Sequence, residues 1–402
     1  MFSPTSNKPT LILCLLWLIG WTLRVPILAA PPLATQIADA FGLGEAGTGA
    51  LTTLPMIAVA FGAIPAAWFI SRFSLKTVIV SGLLIMAMAS IARGIVPSSL
   101  MLFIVSVIMG AGVALFQTAL PKATTVWTPA HVGLASAVYI NGMMMGEMMG
   151  AGFTLPIIMP LADHNWRVAL GLWSVPVIVI AALVAVVRIP TTETQSDQAS
   201  MKNSSSAQAL PNLTDKHIWQ LSLLLTASIV GFVVTNAYAG TFLRARGEEY
   251  ALKWLILGFN SMPLLASFIV LSAPAWVGLR TPVAVSALVS LLGMLGFVFL
   301  QGWASWVSVL CVGCASTVKL ILLMSLPPSI AKGNAVTRLT AGMTLIGFSF
   351  TFVLILVGGW LADLNQWIEM AFVPSILFML CALGALGALG ALGSSARFRN
   401  YQ

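Results

Sequence analysis

The chain has 402 residues, 59% hydrophobic and 7% charged, with a mean hydropathy of +0.99. Soluble globular proteins carry about 25% charged residues, so this composition excludes a water-facing surface and, with it, a soluble enzyme or a disordered chain. The net charge of +8 rests on only 19 Lys+Arg against 11 Asp+Glu, which points to a lipid bilayer as solvent and not to a nucleic-acid partner.

A helix needs about 20 mostly apolar residues to cross a hydrocarbon core of about 30 Å. In chain order, six such runs are predicted first: Thr10–Ala30, Thr48–Ile70, Thr77–Val96, Ser99–Leu120, Val132–Pro156 and Val168–Val187. A polar stretch from Arg188 to Lys216, rich in Ser, Thr, Gln and Asn, reads as a flexible cytoplasmic linker. Six more runs follow: Ile218–Phe242, Ala251–Leu271, Thr281–Leu300, Trp303–Leu326, Leu339–Leu361 and Met370–Leu392. The expected fold is therefore an all-α integral membrane protein of twelve transmembrane helices. Its domains are a six-helix bundle over 1–190, a linker over 191–216 and a second six-helix bundle over 217–402. The first run is too long for a cleavable signal peptide and continues into the multispan pattern.

Orientation follows from the basic residues. With both termini inside, the cytoplasmic segments hold Lys8, Arg72, Lys76, Lys122, Arg188, Lys202, Lys216, Arg280, Lys332, Arg338, Arg397 and Arg399. The other side holds Arg93, Arg167, Arg244, Arg246 and Lys253, together with the acids Asp39, Glu45, Asp163, Glu248, Glu249, Asp363 and Glu369. Lys and Arg accumulate in cytoplasmic loops, so the expected location is a bacterial cytoplasmic (inner) membrane, multi-pass, with both termini cytoplasmic. Cys14, Cys311, Cys314 and Cys381 all fall in apolar runs. They are read as packing residues, with no disulfide, metal or redox role.

A shift of 208 positions superposes Pro55 on Pro263, Trp68 on Trp276 and Arg72 on Arg280. Leu120-Pro121 likewise closes the fourth run as Leu326-Pro327 closes the tenth. Two related bundles about a central pathway are the architecture of a transporter.

Three ionisable residues stand well inside runs: Arg24, Glu147 and Lys319. A charge at the bilayer centre costs at least about 2.5–3.5 kcal/mol, so such residues face a cavity or a partner. Arg24 lies about 21 Å along its helix, Glu147 about 22 Å and Lys319 about 24 Å. Pro26 lacks an amide hydrogen and should break the first helix beside Arg24, whose planar fork suits a carboxylate-like or other planar anion. The alternative is a structural ion pair between Arg24 and Glu147. Glu147, set among Gly142, Gly146, Gly150 and Gly152, is either that counter-ion or a carrier of a coupling proton. Lys319 is either a second anion ligand or a side chain snorkelling to the interface. Gln117, Tyr139, Asn141, Asn236, Tyr238 and Asn260 are polar groups in apolar runs. Their first expectation is bonding to a neighbouring helix, although their number fits a small polar binding site. The Met-rich stretch Met143–Met149 is expected to pack, and the three His stand at run ends.

Two bundles of six with a basic turn after the second run resemble the major facilitator superfamily. The turn Ser71-Arg72-Phe73-Ser74-Leu75-Lys76 keeps Arg72 and Lys76 of that family's signature, and Arg280 is its counterpart in the second half. These three are the expected gating-turn residues. The first half is similar to the cyanate and 2-nitroimidazole permease family. The carrying residues are Thr22-Leu23-Arg24-Val25, Ala30-Pro31-Pro32-Leu33, Leu51-Thr52-Thr53-Leu54-Pro55 and Leu120-Pro121-Lys122. Arg24 matches that family's first-helix arginine, whereas Lys319 departs from its pattern. Gly142, Gly146 and Gly150 fit an antiporter glycine motif in which Glu147 replaces Pro and Ala151 replaces Gly.

The resemblance and the interior charges together imply a secondary active transporter working by alternating access. The expected substrate is a small anion or planar polar solute, cyanate- or nitroimidazole-like, with proton coupling open. A drug or metabolite efflux antiporter is the rival within the class. A non-transporting solute sensor and a membrane-embedded enzyme are rivals outside it. No nucleotide-binding loop of the G-x-x-x-x-G-K-[ST] type is present, and the chain is read as not an enzyme. The expected partners are the solute and lipid, the chain is read as a monomer, and neither cofactor nor metal is expected.

Overall fold

A computed structural model describes residues 8–187, 216–327 and 334–391. Except for Lys216, the predicted linker lies outside the described residues. So do Arg188, Lys202, Lys332, Arg397 and Arg399. Every regular element among the described residues is a helix, and none is a strand. Among the described residues, eleven helices are long and apolar enough to cross a membrane, and a twelfth candidate is a pair, Pro129–Gly152 and Thr154–Leu161, bent by 52°.

The chain divides into two compact units. One comprises the described residues of Met1–Ala30 and Leu54–Ser206, the other those of Pro31–Thr53 and Ala207–Gln402.

In the first unit the opening span is broken. Helix α1 (Lys8–Thr22) stops one residue before Leu23-Arg24, and a short α2 (Val25–Leu28) carries Pro26 in its first turn. The break follows from the missing proline donor. Thr22 Oγ1 donates to the Ile19 carbonyl at 2.7 Å, and the Leu23 amide tightens onto Gly20 at 3.1 Å. Next come α3 (Ala34–Phe41), which belongs to the second unit, and α4 (Glu45–Arg72), which starts in the second unit and ends in the first. The first unit continues with α5 (Leu75–Ile95), α6 (Ser99–Trp127), α7 (Val132–Gly152), α8 (Met159–Leu161), α9 (Trp166–Leu172) and α10 (Ser174–Val186). Ser74 and Ser98 cap α5 and α6, accepting from Thr77 N at 3.2 Å and Met101 N at 3.4 Å; such caps satisfy amides that a helix start leaves unpaired.

The bend after α7 also has a local cause. Pro156 removes a donor, and residues Thr154–Ile158 widen into a π-helical turn. Thr154 Oγ1 donates to the Gly150 carbonyl at 2.5 Å and accepts from Trp173 Nε1 at 2.9 Å, which holds the bend to α10.

The second unit is built on α11 (Lys216–Ala245), which packs against α14 (Gly302–Met324) and α15 (Asn334–Asn365). The remaining helices are α12 (Leu252–Ser272), α13 (Arg280–Phe299) and α16 (Val373–Ala391). Phe242, Phe297 and Phe372 form a cluster with centroids 4.8–5.8 Å apart, in which Phe372 meets both other rings edge-to-face. The C-terminal carbonyls of α13 receive Arg246, which donates to Leu300 O at 2.6 Å, Phe297 O at 3.3 Å and Val298 O. A cation suits this end of a helix, where unpaired carbonyls carry partial negative charge.

Candidate functional site

The first unit's candidate charges are brought level by glycine. A methyl group on Gly142 would overlap the Trp17 carbonyl, and one on Gly146 the Trp21 carbonyl. One on Gly150 would lie 2.7 Å from the Val25 carbonyl oxygen. Each pair is 125 positions apart, so α1 and α7 run parallel in a constant register. That register sets Glu147 level with Thr22, where the helix breaks, and two residues before Arg24. Small residues are what permit such close backbones in a membrane helix pair.

Arg24 is half-buried, and its Nε has no hydrogen-bond partner among the described residues. Glu147 is half-buried, and Arg24 is the charged group that acts on it. The two do not close into an ion pair: the described ion pairs are those of Arg244 with Asp39 and Glu249. Arg24 thus sits beside a compensating charge with part of its fork unused, as an anion ligand would need.

A second guanidinium stands beside this break. Arg93 on α5 has 0% exposure, and its Nη1 donates to the Pro26 carbonyl at 2.9 Å and to Met109 Sδ at 3.2 Å. Its sequence position, two residues before the end of α5, groups it with loop charges; burial is the correction. The free carbonyl that follows a broken helix is the one signal that called for such a donor.

The other candidates of this unit divide. Asn141 Oδ1 accepts from Trp17 Nε1 at 3.0 Å. Tyr139 is half-buried, with its backbone against Gly20, and Gln117 is half-buried on α6. In the turn between α4 and α5, Arg72 lies over the Trp68 ring at 4.7 Å and Lys76 Nζ donates to the Val187 carbonyl at 3.0 Å.

In the second unit, Lys319 is 2% exposed, and its Nζ donates to the Ala227 carbonyl of α11 at 3.0 Å. Asn236 accepts from Asn260 Nδ2 at 3.0 Å and donates to Phe232 O at 3.1 Å. Tyr238 is fully buried and donates to the Ile355 carbonyl at 2.8 Å. Tyr238 is eleven residues along α11 from Ala227, about 16 Å, so it and Lys319 are not brought together. Arg280 opens α13.

A further polar cluster in this unit was not foreseen. Asp363, at the end of α15, accepts from the amides of Glu45 at 2.7 Å and Ala46 at 3.0 Å, capping α4. Thr241 donates to Glu45 at 3.1 Å, and Arg244 pairs with Asp39 at 2.9 Å. These bonds hold residues 31–53 to α11 and α15. No periodicity links positions 318 apart in sequence, so local pattern could not reveal them.

Comparison with known proteins agrees with this architecture. The family model described as Major Facilitator Superfamily matches residues 11–353. The chain is 23% identical over 343 residues to the cyanate transport protein CynX of Escherichia coli (strain K12), covering 84% of this chain and 86% of the relative. It is 27% identical over 246 residues to the 2-nitroimidazole transporter of the same organism, covering 61% and 60%. Among solved structures, a bacterial homolog to the human lysosomal transporter Spinster aligns with a TM-score of 0.78 at 14% identity, covering 99% of this chain and 100% of that one. A D-xylose-proton symporter aligns with a TM-score of 0.73 at 16% identity, covering 94% and 97%.

Proposed function

This chain belongs to the major facilitator superfamily, and from that premise we propose that it moves a small anion or planar polar solute, cyanate- or nitroimidazole-like, by alternating access. Family and fold are those of transporters and not of enzymes. The observation that carries the substrate class is Arg24: a guanidinium at a helix break, with a buried Nε that has no partner among the described residues. Names of relatives support the same class, since one transports cyanate and another 2-nitroimidazole.

In this reading Arg24 is the main anion ligand, and its planar fork pairs with two acceptor atoms. Glu147 supplies the counter-charge that makes an unoccupied guanidinium tolerable in a low-dielectric interior. Lys319 is a second basic ligand in this reading, and Gln117, Tyr139, Asn141, Asn236 and Tyr238 furnish or brace further polar contacts. Arg72, Lys76 and Arg280 serve the gating turns. In this reading the two halves of the sequence, residues 1–190 and 217–402 joined by 191–216, serve as the two bundles of the cycle, and the protein acts as a monomer. The chain lies in a bacterial cytoplasmic membrane with both termini cytoplasmic, following the excess of basic residues on that side.

The test is a thermal-shift screen of purified protein against cyanate, nitroimidazoles and small carboxylates. A true ligand raises the melting temperature by mass action. Arg24→Ala should weaken binding of that ligand by about 30-fold or more, the cost of truncating a buried charged contact. Unchanged affinity in Arg24→Ala would refute the assignment.

A further inference from the structure

An ammonium taken into a membrane interior is normally accompanied by a carboxylate. Around Lys319 the neighbours are of another kind. Its hydrogen-bond partner is the Ala227 carbonyl. One turn earlier on α14, Ser316 shares a 2.9 Å hydrogen bond with Ser290 of α13, and a methyl on Gly231 of α11 would lie 3.2 and 3.6 Å from these two hydroxyls. The helices packed on α14 are α11, α12 and α13. Their titratable groups with described side chains are Tyr238, Arg244, Lys253 and Arg280, and none is a partner of Nζ. Among the described residues no acid lies within 4.0 Å of it. Glu45 and Asp363 gather near Thr241, about 21 Å along α11 from Ala227.

We propose that Lys319 is a proton site coupled to the anion: neutral when the carrier is empty, protonated when the anion is bound, so that one proton travels with each anion. This deepens the anion reading above and rests on it. On loading, the lone pair of Nζ takes a proton from water, and the loaded carrier gains one positive charge to offset the anion's negative one. On release, that N–H bond breaks and the proton returns to water on the other side. No bond to the anion forms, and for a monovalent anion no net charge moves. The Ala227 carbonyl accepts from an amine as well as from an ammonium, so its hydrogen bond survives both states; a carboxylate partner would instead fix the charge. Linkage makes the coupling reciprocal, since whatever favours the ammonium favours the anion by the same factor.

Sodium cyanate is the probe. In weakly buffered detergent at about pH 8, a pH indicator should register close to one proton taken up per cyanate bound by the wild type, and none by Lys319→Met. In proteoliposomes, an imposed gradient of one pH unit should concentrate labelled cyanate up to about tenfold with wild type. Lys319→Arg, a fixed cation, should exchange cyanate more slowly and show no gradient-driven accumulation. Binding without proton uptake by the wild type, or gradient-driven accumulation by Lys319→Arg, would overturn the proposal and leave the anion reading standing. Failure of the wild type to bind cyanate or any anion of the screen would defeat both. If the arginine variant does not fold, the wild-type proton count and the methionine variant still decide.

Discussion

Arg93 carries its charge into the first unit with 0% exposure, and among the described residues its Nε and Nη2 have no hydrogen-bond partner. Two terms oppose each other there. Removing the side chain would leave the Pro26 carbonyl short of a donor, which costs about 1–3 kcal/mol. Replacing even a buried ion pair by apolar side chains of similar volume is often neutral or stabilising by about 1–4 kcal/mol, and among the described residues Arg93 has no carboxylate partner to lose. We take the second as larger. Arg93→Met should therefore melt within about 1 kcal/mol of the wild type or above it, read from thermal unfolding in detergent; a loss beyond about 3 kcal/mol would show that the carbonyl bond dominates. Arg24, Glu147 and Lys319 were legible as interior charges because each interrupts an apolar run. Arg93 was not, because a residue near a run's end reads the same whether it turns out to water or in to a carbonyl.

At the scale of elements, the pairing of α1 with α7 rests on glycine. Gly146 meets the Trp21 carbonyl so closely that a methyl cannot fit without moving a backbone. Gly146→Ala should destabilise the protein by about 1–3 kcal/mol, the usual cost of overpacking. Gly133, on the same helix, is the control, because a methyl placed on it would meet nothing within 4 Å. Gly133→Ala should stay within about 0.5 kcal/mol. Equal melting of the two variants would contradict the close crossing. The glycine spacing in α7 was readable from sequence, as was the Pro26 break, since each depends on neighbours a few residues away. The cap on α4 was not, because its acceptor comes from α15. Asp363→Ala should cost about 0.5–2 kcal/mol, as other cap removals do. Its distinguishing mark is local: peptides covering residues 31–53 should exchange amide hydrogens faster, while those of α5 and α6 should not. Uniform exchange across the chain would show that the cap holds nothing in particular.

For the whole molecule, composition was the strongest guide. A chain with 7% charge must bury its backbone polar groups in helices to live in lipid, and the apolar runs marked where those helices stand. The bend after α7 is the main departure: the run predicted through Pro156 is two helices angled by 52°. Pro156 takes away a donor and leaves the π-helical turn in its place. Grouping of residues 31–53 with the second unit was likewise invisible, because it depends on bonds between positions roughly 200 and 320 residues apart. Transport of a small anion is the claim on which the rest depends, and proteoliposome counterflow tests it most directly. Vesicles loaded with unlabelled cyanate and supplied with no ATP should take up labelled cyanate faster than protein-free vesicles, and Arg24→Ala vesicles should lose most of that excess. Uptake no faster than in protein-free vesicles, or equal uptake by Arg24→Ala, would contradict it.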